Sequence, residues 1–335
     1  MKRILMITTG GTIASIQTKD GLSPALTAED LLDFVPSIQN YCVADTLPLM
    51  NIDSTNMSPD YWLEISNTII ENYDKYDGFI VCHGTDTMAY TAAFLSYMIQ
   101  NSPKPIIVTG SQKPINKENT DAKINLLDSF TYACYEGAHD VNIVFGGSVI
   151  AGTRAKKMRT KAFNAFSSIN FPEIAEIYDG KIIQYIDRKQ STKASFYNKI
   201  NKKVGLLYLT PGIDSKILDS YLECNDAVVI SSYGSGGLPS GGLYRFYEII
   251  ESWQNKGKIL VMTTQVTREG SDMTIYKVGG EIKNKYGFID AYDMTPESII
   301  PKLMWILGQT SDYNEVEKLF YTTINFDILY KGSEK

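Results

Sequence analysis

Three hydroxyl-rich strings in the first third of the chain carry residue types suited to nucleophilic chemistry: TTGGT (8–12), HGTDT (83–87) and TGSQ (109–112). A threonine attacks a carbonyl once a neighbouring group removes or shares its proton. Gly10 and Gly11, just before Thr12, carry no Cβ and tolerate positive φ, so a ligand can approach the backbone there. A fourth polar string, NIDSTNMSP (51–59), immediately precedes a helical pattern. Each string alone has a plainer reading. TTGGT is compatible with a simple strand-to-loop turn, and one of Thr85, Asp86 and Thr87 should cap the helix that follows. Asp86 is also a candidate for neutralising an ammonium, while helix-terminal amides favour an anionic group. A zwitterionic amino acid satisfies both.

Histidine is scarce. His83 ends an apolar run and reads as structural, His139 lies in the polar loop EGAHDVN and reads as a surface residue, and no GxSxG string is present. A hydroxyl nucleophile would therefore work without a histidine base. A lysine can serve instead, and GTRAKKMRTKAFNAF (152–166) supplies Lys156, Lys157 and Lys161; a solvated surface role is the plainer reading for any one of them. Nucleotide binding lacks its minimum signature, since neither GxGxxG nor GxxxxGK[ST] occurs.

These loops must be held by something, and the surrounding pattern says what. Nearly all-apolar runs at 4–8, 79–84, 105–111 and 141–147 read as strands buried on both faces. They alternate with amphipathic runs: SPDYWLEISNTIIENY, with Ser58 as N-cap and Pro59 at the first helical position, then TDTMAYTAAFLSYMIQ and TDAKINLLDSFTYACYEG. Such alternation predicts βαβ crossovers and a parallel sheet. Ligands bind at the carboxyl ends of strands in these sheets, and TTGGT, HGTDT and TGSQ all fall at such ends. The polar stretch DRKQSTKASFYNKINKK (187–203) reads as a connection. Strands are expected again at 204–212, 227–237 and 258–265, with helices near 240–255, 296–308 (capped by Thr295) and 311–321. The expectation is a two-domain α/β protein: a larger N-terminal domain (1–188) with a mainly parallel sheet flanked by helices, a linker (189–203) and a smaller C-terminal α/β domain (204–335).

Composition narrows the function class. The chain has 335 residues, 44% of them hydrophobic, enough for a sizeable core, and a formal charge of -6 that argues against nucleic-acid binding. Four scattered cysteines without CxxC spacing suggest neither a zinc ribbon nor a disulfide framework. The apolar start is too short for a signal peptide and no run approaches a membrane span, so a cytoplasmic location is expected.

Taken together, TTGGTIAS, NIDSTNM, GFIVCHGTDTMAYTA, PIIVTGSQ and GTRAKKMRTKAFNAF occur in the order and spacing of the bacterial L-asparaginases, and the chain most resembles their cytoplasmic, type I branch. SSYGSGG, TTQVTREGSDMTIYKVGG and PKLMWILGQ extend the resemblance over nearly the whole chain. It implies a homodimer or homotetramer hydrolysing L-asparagine to L-aspartate and ammonia with no cofactor or metal. It further implies Thr12 as nucleophile, with Thr85, Asp86 and Lys157 as the second catalytic group. Asp53, Ser54, Thr55, Gly84, Thr85, Asp86 and Ser111 would hold the substrate. On this reading the glycines before Thr12 let the substrate carbonyl reach its hydroxyl.

One departure stands out. Where many relatives carry a tyrosine in the loop after TGGTI, this chain has Leu22, and residues 14–27 contain no tyrosine. Tyr276 matches a position from which some relatives supply a tyrosine across the subunit interface; its plainer reading is a packed aromatic. The loop can still act as a lid, bracketed by Gly21 and Pro24. Two rival functions remain: the amidase subunit of a tRNA-dependent amidotransferase, which would need an added RNA-facing region and has little room for one in an acidic chain, and an amino-acid sensor without turnover.

Overall fold

The computed structural model describes residues 1–18, 21–24, 26–187, 191–239, 245–253, 256–275, 280, 283 and 285–330. Its contacts divide the chain into two compact units, Met1–Asn198 and Lys199–Lys335. Both are α/β, the first built on a mainly parallel sheet and the second on a smaller parallel one, as the alternating pattern predicts.

In chain order the strands of the first unit are β1 (Lys2–Gly10), β2 (Ser15–Thr18), β3 (Gly21–Pro24), β4 (Cys42–Ile52), β5 (Gly78–Cys82), β6 (Ile99–Gln100) and β7 (Pro105–Thr109). There follow β8 (Asp140–Phe145), β9 (Ser148–Ala151), β10 (Ala155–Lys157), β11 (Phe166–Ser168), β12 (Ala175–Tyr178), β13 (Lys181–Gln184) and β14 (Ser195–Phe196). The helices are α1 (Ala28–Asp33), α2 (Pro59–Asn72), α3 (Met88–Met98) and α4 (Ala122–Cys134). Eight strands form one sheet in the order β13-β12-β9-β8-β7-β5-β1-β4. The stretch from β4 to β8 is parallel throughout, and β9, β12 and β13 extend it antiparallel.

The apolar runs become strands because they are covered on both faces: Ile4, Met6 and Ile7 of β1 and Phe79, Ile80 and Val81 of β5 are fully buried. Each such side chain contributes about 1.5–3 kcal/mol of transfer free energy. Every residue of α3 except Tyr90 is buried, so this helix is apolar all round and serves as core. Helix α2 is two-faced, burying Trp62, Ile65 and Ile69.

The second unit has a four-stranded parallel sheet, β15 (Val204–Tyr208), β16 (Ala227–Ser232), β17 (Ile259–Thr264) and β18 (Ile289–Asp290), in that order. Helices α5 (Lys216–Cys224) and α6 (Phe246–Trp253) pack over it, burying Leu218, Leu222, Phe246 and Ile250 against Val228, Ile230 and Met262. Helices Pro296–Gln309 and Tyr313–Phe320 follow. Within this unit Lys302 and Asp327, both fully buried, form an ion pair at 2.6 Å. Lys302 also donates to the Thr322 carbonyl at 2.9 Å, and Asp327 accepts from the Ile324 amide at 2.8 Å, so the chain beyond the last helix is tied back to the core.

Several expected boundaries shift. Strand β5 stops at Cys82 and β7 at Thr109, because the residues beyond bend out to form loops. The run expected to continue to 147 stops at Phe145, where Gly146 and Gly147 (φ +59° and +81°) turn the chain back into antiparallel β9. Lys157 therefore arrives on the short β10–β11 hairpin rather than directly after a parallel strand. Ser58 and Thr295 stand at the helix starts assigned to them but make no side-chain capping bond. Within the stretch read as a connection, β14 pairs antiparallel with β6. Of the helix expected near 240–255, residues 240–244, 254 and 255 lie outside the described residues.

Candidate active site

Counted in chain order, β1, β4, β5, β7 and β8 lie in the spatial order 2-1-3-4-5. The connections leaving β1 and β5 run in opposite directions along the sheet, which makes the gap between their carboxyl ends the topological switch point where ligands bind. TTGGT runs off the end of β1 and HGTDT follows β5, while NIDST runs off the end of β4 on one side and TGSQ off the end of β7 on the other. The four strings that looked weak singly thus occupy four adjacent strand ends.

The glycines explain how closely these loops pack. A Cβ on Gly10 (φ +98°) would lie 2.6 Å from the Ile52 backbone, and one on Gly11 (φ +79°) would lie 2.5 Å from the Gly84 Cα and nitrogen. A Cβ on Gly84 would in turn lie 2.5 Å from Ser54 Oγ, and one on Gly110 2.1 Å from the His83 carbonyl. The space that Gly10 and Gly11 leave is filled by protein backbone, which corrects the reading that they clear a path for the substrate. They let three loops meet. Thr12 opens a single 3-10 turn (Thr12–Ala14) and is partly exposed; the Gly11 amide donates to the Ile52 carbonyl at 3.0 Å and Ser15 Oγ donates to the Gly11 carbonyl at 2.8 Å.

Thr85 is buried, and its hydroxyl accepts a hydrogen bond from Lys157 Nζ at 2.7 Å. The same ammonium contacts Asp86 Oδ1 at 2.7 Å, with the lysine side chain 17% exposed and the Asp86 side chain 58% exposed. The pair thus sets a mostly buried ammonium against a carboxylate that still faces solvent. Thr87 stands at the N-cap position of α3, yet its hydroxyl donates to the Ser54 carbonyl at 2.8 Å rather than capping the helix. Asp53 accepts from Thr55 N (2.9 Å) and Thr55 Oγ1 (3.0 Å), fixing an exposed threonine beside buried Ser54. Ser111 is buried and its Oγ donates to the Lys113 carbonyl at 2.5 Å.

His83 is structural, in line with its plainer reading. Its Nδ1 lies 2.7 Å from the Gly84 carbonyl, so that nitrogen carries the proton; Nε2 then accepts from Thr91 Oγ1 at 2.9 Å. Thr91 in turn accepts from Trp62 Nε1 at 2.9 Å. Complete burial pushes the His83 pKa down to about 4, and the imidazole stays neutral.

Three residues were missed by sequence reading. Gln112 accepts from Thr85 Oγ1 at 3.3 Å. Asp121 accepts from the backbone amides of Gln112 (2.8 Å) and Lys113 (3.1 Å). Asn125 donates to the Gly110 carbonyl at 2.9 Å and accepts from Gly146 N at 2.9 Å. Gln112 was visible as part of TGSQ, but its partners are remote in sequence. Tyr276 lies outside the described residues. Leu22 sits in the β2–β3 hairpin, in register with Gln17.

The model of the asparaginase N-terminal domain matches residues 3–190, and that of the glutaminase/asparaginase C-terminal domain matches 203–320. An L-asparaginase of Thermococcus kodakarensis is 37% identical over 330 residues, covering 97% of this chain and 99% of that protein. The solved structure of the thermostable L-asparaginase from the same organism has a TM-score of 0.92 at 35% identity, covering 98% of this chain and 100% of that one. L-asparaginase I of Vibrio cholerae follows with a TM-score of 0.87 at 30% identity, covering 98% and 99%. One subunit of a glutamyl-tRNA(Gln) amidotransferase of Methanobrevibacter smithii is 33% identical over 350 residues, covering 100% of this chain and 78% of that protein. An archaeal protein stands among these relatives, so the likeness is not confined to bacterial ones. Matched by both domain models along most of its length, the chain belongs to the glutaminase/asparaginase family.

Proposed function

We propose that the protein is an L-asparaginase of the type I branch that hydrolyses L-asparagine to L-aspartate and ammonia through an acyl-enzyme on Thr12. The observation that carries this reading is the Lys157 ammonium, which reaches both Thr85 Oγ1 and Asp86 Oδ1 at 2.7 Å beside the switch point where Thr12 emerges. In this reading Thr12 Oγ attacks the side-chain amide carbon, the C–N bond breaks, and the proton given up by the Thr12 hydroxyl passes to the departing nitrogen, which leaves as ammonia. Water then attacks the β-aspartyl ester and frees the Thr12 hydroxyl. Thr85, held by Lys157, orients that water. Backbone donors at Thr12 and near Thr85 steady the developing oxyanion, each worth about 3 kcal/mol when well placed.

Asp86 takes the substrate ammonium; Asp53, Ser54, Thr55 and Gly84 form the cradle for its α-carboxylate end, and the Ser111 carbonyl meets the side-chain amide. Tyr276 of a neighbouring subunit, in a homodimer or homotetramer, takes the place of the loop tyrosine that Leu22 replaces. The chain organisation is domain 1–188, linker 189–203 and domain 204–335, and the location is cytoplasmic. Among the described residues no helix is long and apolar enough to cross a membrane.

Identity favours the asparaginase reading over the amidotransferase one, at 37% against 33%. The sensor reading needs none of Thr12, Thr85 and Lys157 together. The test is ammonia release from L-asparagine by purified protein, with L-glutamine in parallel and Thr12→Ala as control. Turnover of asparagine that disappears in Thr12→Ala is expected. Folded, asparagine-binding protein with no turnover of either amide would sink the reading in favour of the sensor.

A further inference from the structure

Thr85 is the residue through which Lys157 acts in the proposed reaction, and a hydroxyl has one proton and two lone pairs to place. One lone pair is occupied by the Lys157 ammonium at 2.7 Å. The proton points to Gln112 Oε1 at 3.3 Å. The orientation of the Gln112 amide is fixed by its other end, since Nε2 faces two carbonyls, those of Ala162 at 3.2 Å and Arg159 at 3.4 Å. Only the NH2 group can sit there, so the oxygen must face Thr85. The Gln112 backbone is itself clamped, its amide donating to both Asp121 carboxylate oxygens at 2.8 and 3.1 Å.

We infer that Gln112 is a positioning residue that aims the Thr85 proton away from the reacting side and leaves the second Thr85 lone pair open toward the attacking water. The same amide ties down the segment just beyond Lys157, so a single side chain holds the second threonine and the chain that carries its lysine partner. This inference rests on the asparaginase reading. Without Gln112 the Thr85 proton loses its acceptor while Lys157 still holds one lone pair, and the proton competes for the direction from which water must donate.

Two substitutions separate positioning from mere support. Gln112→Met keeps length and removes both acceptor and donor; Gln112→Glu keeps the acceptor and removes the donor. Both are assayed beside the wild-type protein for ammonia release from L-asparagine across pH 4–9 (a range of about five units), with melting temperature measured in parallel. Gln112→Met is expected to lower kcat about tenfold or more with KM changed less than about threefold. Gln112→Glu is expected to retain more kcat than Gln112→Met at neutral pH and to show an acid limb absent from the wild type, as its carboxylate gains a proton and ceases to be the better acceptor. Wild-type kcat in Gln112→Met would overturn the inference while leaving the asparaginase reading intact. Equal losses in both variants with unchanged pH profiles would do the same, because they would mean that Gln112 only supports the loop. Failure of the wild-type protein to release ammonia would instead sink the underlying reading.

Discussion

His83 links the stability of the HGTDT loop to pH in a way that can be worked out in advance. The unfolded imidazole takes up a proton near pH 6.5, whereas the folded one does so only near 4, because it is wholly buried. Between these values the unfolded state binds the extra proton, so the native state loses stability as pH falls from about 6.5 to about 4 and keeps the full contribution above 6.5. Across that window the loss approaches about 3 kcal/mol, and about 2.5 kcal/mol of it has accrued by about pH 4.5. His83→Gln removes this dependence. It also costs about 1–3 kcal/mol at every pH, by disrupting the hydrogen bonds to Gly84 and Thr91. The stability of wild type minus that of the variant should therefore fall by about 2.5 kcal/mol on going from about pH 7.5 to about pH 4.5, which closes or reverses the wild type's advantage. Chemical denaturation read by tryptophan fluorescence measures it. Replacing Trp253 and Trp305 by Phe leaves Trp62, which bonds to Thr91 in the same network, as reporter of the first unit. A gap that stays constant between the two pH values would refute the reasoning, as would an NMR titration placing His83 near its ordinary pKa.

Asp128 on α4 has the opposite sign: burial pushes its carboxyl up to about 6, so its ionisation in the fold costs stability that is present above pH 6 and gone below about 4. Asp128→Asn should stabilise the first unit at pH 7 by about 1–2 kcal/mol after allowance for screening, with no gain at pH 4; equal effects at both values would contradict this. Asp327→Ala leaves the buried Lys302 ammonium without its carboxylate and should cost about 3–5 kcal/mol. The loss should appear in the unfolding of the second unit, and a change below about 1 kcal/mol would show that other groups already balance the charge.

How legible all this was in the sequence depends on the range of the forces involved. The central parallel strands are legible because burial on both faces makes them continuous apolar runs, as in β5 and β7. Edge strand β4 was not, because CVADTLPLMNI is half exposed and carries Pro48, which an edge tolerates. The short antiparallel strands β9, β12 and β13 depend on turn geometry and tertiary pairing more than on local pattern. In the site, Thr85, Asp86 and Lys157 were marked by motif strings, and the structure brings them within hydrogen-bonding reach. The role of Gln112 could not be seen, since its carbonyl partners lie 47 and 50 residues away. Gly10 and Gly11 were singled out for the right property and the wrong neighbour: the missing Cβ makes room for the Ile52 and Gly84 backbones.

The most direct test of the central claim is to trap the acyl-enzyme. Thr85→Ala protein would be mixed with L-asparagine, quenched in acid and digested, and the peptide containing Thr12 examined by mass spectrometry. The account predicts that this peptide carries one aspartyl group on the Thr12 oxygen, and that the adduct is absent when Thr12→Ala is combined with Thr85→Ala. An aspartyl adduct on a different residue, or release of a full equivalent of ammonia from the Thr12→Ala protein, would contradict it.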